Sequence, residues 1–320
     1  MNVPDFCHQP VLAREVLELL QPEPGQVFVD GTLGGGGHAR LILECVAPDG
    51  RLVGLDRDRD ALAAASQLLA PFGLRALLRQ GNFADLAIHL KALGLQKVDG
   101  ILLDLGVSSY QLDCAERGFS FRADGPLDMR MDSTAGTSAA EILATADADR
   151  LQSIFREYGE ERWAGRIARE IVRSRDQKPL ATTLQLAELV SRVVPGGRSP
   201  QRIHPATRVF QALRIAVNHE LESLARGLEA GLDLLVVGGR MAVISFHSLE
   251  DRMVKQFFRQ ASTGCTCPPR LPVCVCGRVP QAKLLNRRGI RAGEMEREEN
   301  PRSRSAVLRG VQILGESSRS

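Results

Sequence analysis

The clearest indication of the fold in this sequence is the segment Phe28-Val-Asp-Gly-Thr-Leu-Gly-Gly-Gly-Gly-His38. A short apolar run ends in the acid Asp30 and passes directly into a run of glycines. Two further apolar runs, 52–56 and 101–104, also end in acids. Glycines let a backbone approach a ligand closely, and acids at the ends of parallel strands bind polar groups of nucleotide-type cofactors. The three runs therefore predict strands of a parallel sheet with a cofactor site at their carboxyl ends.

The acid at the entrance of the glycine loop limits the type of cofactor. Gly34, Gly36 and Ala39 fit the dinucleotide pattern G-x-G-x-x-G/A. However, a carboxylate at Asp30 would repel a pyrophosphate, which binds at the bare amides of a helix N-terminus. The same carboxylate would attract the ammonium and sulfonium groups of S-adenosylmethionine. We therefore predict that cofactor, and the alternative is a tight turn that binds no ligand.

Residues that follow the other strands are candidates for contacts to the cofactor and the substrate. Asp56 follows Gly36 by about 20 residues, the spacing at which an acid accepts hydrogen bonds from ribose hydroxyls. Phe83 follows the third strand, where an adenine ring would bind, and a buried core phenylalanine is the alternative. Asp104 ends the fourth strand, so its carboxylate could accept from the cofactor's amino group or from an incoming amine. The alternative role for Asp104 is to cap the next turn.

The order of the predicted elements favours a doubly wound α/β fold with a helical insertion. Strands alternate with helices up to residue 110, which is typical of a parallel sheet covered on both faces. Between residues 111 and 209 the alternation stops, and capping boxes from Ser138 to Glu141 and from Thr182 to Gln185 indicate helices. Further elements are predicted over 210–228 (helix), 241–245 (strand), 249–260 (helix) and 305–309 (strand). We predict a discontinuous sheet domain, 1–110 and 210–320, and a substrate-recognising helical domain over 111–209.

Charge is distributed unevenly along the chain. The net charge of +3 does not by itself mark a nucleic-acid-binding protein. Between residues 196 and 219 there are four arginines and no acid, and between 278 and 309 there are nine Lys or Arg against four Glu. Such segments are typical of surfaces that bind a phosphate backbone, and a solvated face is the alternative. In the first segment Arg202, Arg208 and Arg214 are candidates for contacts to RNA.

The termini and the cysteines indicate where the protein works. The chain has no cationic start followed by an apolar core, and no apolar run approaches the length of a membrane span. Seven cysteines, an odd number, are typical of thiols in a reducing cytoplasm. Cys265, Cys267, Cys274 and Cys276 form two C-x-C pairs, for which a zinc site and free thiols are both open. We expect a cytoplasmic protein without a membrane segment.

One more strand end carries polar residues. His247, Glu250 and Asp251 follow the strand predicted over 241–245 and could face the same crevice as the other acids. His247 could contact a phosphate or a base there. The alternative is that His247 is a hydrogen-bonded structural group.

Longer motifs lie along nearly the whole chain. They include HQPV (8–11), DGTLGGGGH (30–38), DLGVSS (104–109), DGPLDMRMD (124–132), HPATR (204–208), SFHSLEDR (245–252) and NPRSRS (300–305). Together they resemble the motifs of one family, the bacterial small-subunit ribosomal RNA cytosine-N4 methyltransferases known as RsmH or MraW. Gly35 and Tyr110 depart from the usual family pattern, at positions that we do not assign to the cofactor.

The resemblance implies a Rossmann-like S-adenosylmethionine-dependent methyltransferase. Its acceptor would be the exocyclic N4 amine of a cytidine in the decoding region of 16S ribosomal RNA, free or within the small ribosomal subunit. Asp104 would be the catalytic residue, and no catalytic metal is expected. The implied cofactor contacts are Gly36, Gly37, His38, Asp56, Phe83, Asp104 and Gln111. From the residues alone, a nicotinamide-dependent oxidoreductase and a non-catalytic RNA-binding factor that keeps the cofactor fold are the alternatives.

Overall fold

The computed structural model describes residues 10–177, 179–195, 204–264, 276 and 279–315. The chain divides into two compact units. The first combines Met1–Gly106 with Glu222–Ser320, and the second is the continuous segment Val107–Leu221. None of the helices in these described ranges has the length and apolar character needed to span a bilayer.

A seven-stranded sheet forms the centre of the first unit. Its strands are β1 (Val27–Asp30), β2 (Arg51–Asp56), β3 (Ala76–Gln80), β4 (Val98–Asp104), β5 (Leu235–Ser245), β6 (Ala282–Leu284) and β7 (Val307–Ile313). The order across the sheet is β3-β2-β1-β4-β5-β7-β6. Strands β1 to β5 run parallel, whereas β7 runs antiparallel to both of its neighbours. The predicted Rossmann-like α/β fold is confirmed.

Helices connect these strands and build the second unit. In chain order they are α1 (Ala13–Leu20), α2 (Gly37–Cys45), α3 (Arg59–Leu69), α4 (Leu86–Ala92), α5 (Ser109–Asp113), α6 (Ala139–Thr145), α7 (Ala148–Glu157), α8 (Ala164–Arg175), α9 (Thr183–Val193), α10 (Ala206–Asn218), α11 (Glu220–Leu234), α12 (Ser248–Ala261) and α13 (Glu294–Glu299). Helices α5 to α10 belong to the second unit, and the others lie wholly or almost wholly in the first.

Both faces of the sheet are buried. Along β4, Leu102 packs with side chains of α1, α2 and α3. Its neighbours Ile101 and Leu103 point to the opposite face and pack with α4, α11 and α12. Strands buried on both faces have nearly continuous apolar sequences, which is why short apolar runs located these strands. The carboxyl ends of β1, β2 and β4 consequently lie at one edge of the sheet.

The second unit has a hydrophobic core of its own. Side chains such as Phe155, Ile167, Leu186 and Leu213 are fully buried among its helices. The Ser138 hydroxyl accepts a hydrogen bond from the Glu141 N–H, and the Glu141 carboxylate accepts from the Ser138 N–H. A matching pair involving Thr182 begins α9. Both predicted capping boxes are therefore present.

The prediction of one helix over 210–228 is wrong, because the chain breaks between α10 and α11. His219 has a φ of +52° and ends α10 in the left-handed region. The adjacent Asn218 is buried, and its amide donates to the Met129 carbonyl at 2.7 Å and accepts from the Met131 N–H at 2.8 Å. These tertiary hydrogen bonds fix a break where the apolar periodicity of the sequence predicts a continuous helix. Because α10 contributes Phe210 to the core of the second unit, that unit ends at Leu221 and not at residue 209.

Candidate functional site

Three acids end neighbouring strands of the first unit. Asp30 ends β1, Asp56 ends β2 and Asp104 ends β4. Strand β1 lies between β2 and β4, with Asp30 in register with Leu102 of β4. The sheet order therefore brings the three carboxyl groups to one edge, as the sequence predicts.

The glycine loop between β1 and α2 is fastened to both neighbouring strands. The Gly31 N–H donates to the Leu102 carbonyl and the Leu33 N–H donates to the Leu55 carbonyl, each at 2.9 Å. Gly34 has a φ of +50° and Gly36 a φ of +83°. Such left-handed backbone favours glycine because a Cβ would clash with the following carbonyl oxygen. The loop is therefore held in one shape, with Gly36 and Gly37 leading into α2.

Asp56 holds the glycine loop and the turn after β2 together. Its Oδ2 accepts from the Gly34 N–H and its Oδ1 accepts from the Asp58 N–H, both at 2.8 Å. Burial raises the pKa of Asp56 to about 6, against the opposing effect of these two hydrogen bonds. A carboxylate has about four acceptor sites, and the Arg57 N–H occupies a third site, so about one site is left. Asp56 therefore has the capacity to accept from a ribose hydroxyl while it organises the loop.

Asp104 is the third acid of the group with a raised pKa. Burial raises the pKa of Asp104 well above its ordinary value, and the charges of Asp30 and Glu250 add to this effect. The Asp104 N–H donates to the Thr32 hydroxyl at 2.5 Å, and Asp104 Oδ2 lies 3.7 Å from His38 Nε2. Its other oxygen, Oδ1, is buried and has no hydrogen-bond partner among the described residues. An unused buried acceptor is costly, so this oxygen is a candidate acceptor for a ligand N–H.

Asp30 is almost completely buried beneath the loop. Its Oδ1 accepts from the Thr32 N–H at 3.1 Å. Burial raises the pKa of Asp30 to about 7, and the nearby charge of Asp56 contributes. A cation placed among three acids would lower their pKa values and stabilise the cluster. The three carboxyl groups therefore fit S-adenosylmethionine, which carries an ammonium and a sulfonium group.

Phe83 lies beside the same loop. A Cβ on Gly31 would approach the Phe83 Cβ to 2.9 Å, and one on Gly227 of α11 would approach the ring to 2.5 Å. The side chain of Asn82 accepts from the Ala84 N–H and donates to the Ser223 hydroxyl, which fixes the turn before the ring. Phe83 is only partly buried. A contact to an adenine ring stays a prediction.

Gln111 belongs to the second unit and is described there. It lies in α5 and is 4% exposed. Its side-chain oxygen accepts from the Ser108 N–H at 3.0 Å, and its own N–H donates to the Ser108 hydroxyl at 3.2 Å. This capping box gives Gln111 a structural role in the DLGVSS turn. A role in cofactor binding stays a prediction.

His247 caps a helix. Its ring Nδ1 accepts from the Glu250 N–H at 3.4 Å at the start of α12, which agrees with the structural alternative. Glu250 is buried, and its Oε2 accepts from the Phe246 N–H at 2.9 Å. The effect of Glu250 on Asp104 depends on the pairing of β4 with β5, which is not visible in the sequence.

Thr32 was also missed by the sequence analysis, although the DGT triplet after a strand is the signal that could have found it.

The three arginines of the first basic segment that were candidates for RNA contacts have different surroundings. Arg214 makes two hydrogen bonds of 2.7 Å to Glu220, so its charge is already paired within the second unit. Arg208 is exposed and donates to the Glu160 carbonyl. Arg202 lies outside the described residues, as do Cys265, Cys267 and Cys274. Cys276 is exposed, and the zinc question stays open.

Comparison with known proteins agrees with the motifs. The sequence profile of the MraW methylase family matches residues 5–314. The protein named "Ribosomal RNA small subunit methyltransferase H" in Syntrophotalea carbinolica is 63% identical, with 97% of this chain and 98% of the relative covered. Proteins of the same name in Trichlorobacter lovleyi and Geobacter sp. strain M21 are each 58% identical, with 97% and 99% covered. The matches extend over both units.

Proposed function

Because the chain belongs to the MraW methylase family, it is an S-adenosylmethionine-dependent methyltransferase, and we propose that its acceptor is the exocyclic N4 amine of a cytidine in the decoding region of 16S ribosomal RNA. The oxidoreductase alternative is thereby removed. The names of the relatives support a small-subunit ribosomal RNA as substrate.

The observation that carries the proposal is the unused, buried Oδ1 of Asp104. An exocyclic base amine is a poor nucleophile because its lone pair is delocalised into the ring. A carboxylate oxygen that accepts from the amine N–H localises that pair and orients it. S-adenosylmethionine supplies the electrophilic methyl group when bound. The raised pKa of Asp104 suits its oxygen to take the proton that the methylated amine releases.

The remaining site residues would bind and orient. Asp56 would accept from the ribose hydroxyls, and Phe83 would contact the adenine ring. Gly36, Gly37, His38 and Gln111 would complete the cofactor contacts, and Asp30 would add negative charge near the sulfonium group. Orientation and proximity of this kind contribute on the order of 7–11 kcal/mol in well-aligned reactions.

The second unit is a candidate for substrate recognition. A target base must leave its stack, or be single-stranded already, to reach a carboxylate at the end of a sheet strand. We propose that the helical unit contributes to recognition of the substrate RNA. We also propose the cytoplasm as the place of action, since ribosomal RNA is modified there and the cysteine content is typical of a reducing compartment.

Methyl transfer to unmodified small subunits tests the proposal. The purified protein is incubated with labelled S-adenosylmethionine and with either free 16S RNA or 30S subunits from cells that lack the enzyme. We expect one N4-methylcytidine in the decoding region. Nucleoside chromatography against synthetic standards separates N4-methylcytidine from C5-methylcytidine, which has the same mass. A label on another position, or RNA binding without transfer, would contradict the proposal.

A further inference from the structure

A cavity of about 450 Å³ opens next to the candidate site in the first unit. It lies between the start of α12, the segment before α13 and the beginning of β7. Its lining includes His247, Lys255, Arg291 and Ser305. Asp104 of β4 is in register with Ile244 of β5, and Phe246, two residues further along the chain, lines the cavity. The cavity is thus near the group that would meet the target amine.

The charge of this cavity is positive. Arg252, Lys255 and Arg291 all contribute to its wall. Among the described residues that line it, Asp251 is the one acid, and Arg309 of β7 holds it through two contacts of 2.7 Å and 3.1 Å. That pairing neutralises the acid. Lys255 and Arg291 are exposed and have no ion pair among the residues that the structure describes.

The combination of an arginine and a lysine suits a phosphate group. A guanidinium presents a fork that binds two phosphate oxygens, and an ammonium adds a compact charge. A volume of about 450 Å³ lies within the range of small-ligand sites, roughly 300–1,000 Å³. A nucleotide-sized group therefore has room there.

Basic side chains outside the cavity indicate that the ligand is a chain of phosphates and not a single anion. Arg287, Arg288 and Arg304 are exposed, and within the described ranges they too have no ion pair. They lie within four residues of Arg291 or Ser305 in sequence, so the chain segments that supply this wall of the cavity carry further positive charge. One phosphate would use only the cavity, whereas a polynucleotide backbone would use both.

From this arrangement we infer that the cavity between α12, Arg291 and β7 holds a phosphodiester of the substrate RNA and positions the strand whose base enters the site at Asp104. The inference rests on the proposed function and adds a binding site to it. Lys255 and Arg291 touch the backbone and not the reacting atoms, so they are binding residues.

The experiment compares salt dependence of RNA binding among matched variants. The probe is a transcript of the 16S decoding region, and the variants of the full chain are Lys255→Ala, Arg291→Ala and the double substitution. Arg51→Ala is the control, because Arg51 is exposed at the amino end of β2, the opposite edge of the sheet. Each single variant should lower the slope of log affinity against log salt by about 0.7, the value for one contact to a single strand, and the double by about twice that. The control should keep the wild-type slope.

Two further readouts keep the inference falsifiable. Affinity for S-adenosylmethionine and the thermal midpoint should match wild type in all variants. In methylation assays KM for RNA should rise with kcat unchanged, as expected when uniform binding is lost. Wild-type slopes in both single variants would overturn the inference. A second outcome would also overturn the inference: inorganic phosphate binds saturably, and Arg291→Ala abolishes that binding but leaves the salt slope of RNA binding unchanged. The cavity would then be a site for a free anion. If the wild type itself methylates no RNA, the proposed function fails independently of these slopes.

Discussion

At the scale of single residues, Asp56 combines two tasks in one carboxylate. It fastens the glycine loop through the Gly34 N–H, and its remaining acceptor site is available to a ribose hydroxyl. We expect Asp56→Ala to weaken S-adenosylmethionine binding by about 1.5–3 kcal/mol, the usual loss for a hydrogen bond to a charged group. Calorimetry measures the change, with the exposed Asp49→Ala as the control.

Asp56→Asn separates the two tasks of that residue. An asparagine keeps one oxygen, so it can hold the Gly34 N–H but carries no charge. Affinity between those of wild type and Asp56→Ala is the expected result. An Asp56→Ala protein that binds the cofactor as tightly as wild type would remove the residue from the site.

Asp104 should matter for turnover more than for folding. Asp104→Asn keeps the shape and one carbonyl oxygen but removes the charge and the proton acceptor. We expect methyl transfer to fall by about 100-fold or more, the usual contribution of a general base. Single-turnover transfer to 30S subunits at saturating cofactor measures it, with thermal unfolding alongside. A defect that disappears at high cofactor would mean that Asp104 only binds.

Asp30 should make the protein without cofactor less stable as pH rises. Its pKa is about 7 in the folded protein against an ordinary value of 3.8, so the folded state binds more protons between these values. Where the folded state binds more protons than the unfolded chain, the free energy of unfolding falls as pH rises. Asp30→Asn removes this titration, while its amide oxygen can still accept from the Thr32 N–H.

Urea unfolding between about pH 5 and pH 8 tests the role of Asp30. The decline in unfolding free energy should be shallower in Asp30→Asn than in wild type, because the variant has one fewer buried acid to ionise. Equal declines would show that Asp30 titrates as an ordinary acid. The three acids would then not destabilise the protein in the absence of a bound cation.

At the scale of elements, the junction between α10 and α11 depends on one buried amide. Asn218→Ala would leave the Met131 N–H and the Met129 carbonyl without this partner. A buried group left unsatisfied costs about 1–3 kcal/mol, so we expect a loss of that size or more in the free energy of unfolding. Denaturant unfolding checks it, and Asn218→Asp should lose at least as much, because its second oxygen would face the Met129 and Arg214 carbonyls to which the amide now donates. A change below about 0.5 kcal/mol, the usual effect of a surface substitution, would contradict this role.

Elements that depend on local pattern could be predicted, and those that depend on distant partners could not. Strands β1, β2 and β4 were found because each is an apolar run that ends in an acid. Both capping boxes were found because their residues are three apart. By contrast, the break at His219 follows from bonds between Asn218 and a loop nearly ninety residues away in sequence. The three-residue strand β6 exists only through its pairing with β7.

The same division applies to the candidate site. Asp30, Asp56 and Asp104 were located from strand ends and glycines. The pairing of Arg214 with Glu220 and the action of Glu250 on Asp104 need the tertiary structure. His38 and Gln111 came from the resemblance to a family and not from spacing.

At the scale of the whole molecule, the two units differ in continuity. The second is one segment, Val107–Leu221, whereas the first is completed only by Glu222–Ser320. Strand β5 pairs with β4 across this interruption, and β7 follows later still. The sheet therefore has two sequence-distant halves.

Synthesis from the amino terminus gives this discontinuity a consequence in time. While a ribosome is still adding residues beyond Leu221, β4 has no neighbour on one side, and an unpaired strand edge is a template for aggregation. The second unit can bury its own core first. We expect protease treatment of stalled nascent chains to yield a protected fragment of the second unit before β1 to β4 become resistant. Simultaneous protection of both units would contradict this order, and the interval between the two events is the time for which the β4 edge of a nascent chain stays unpaired.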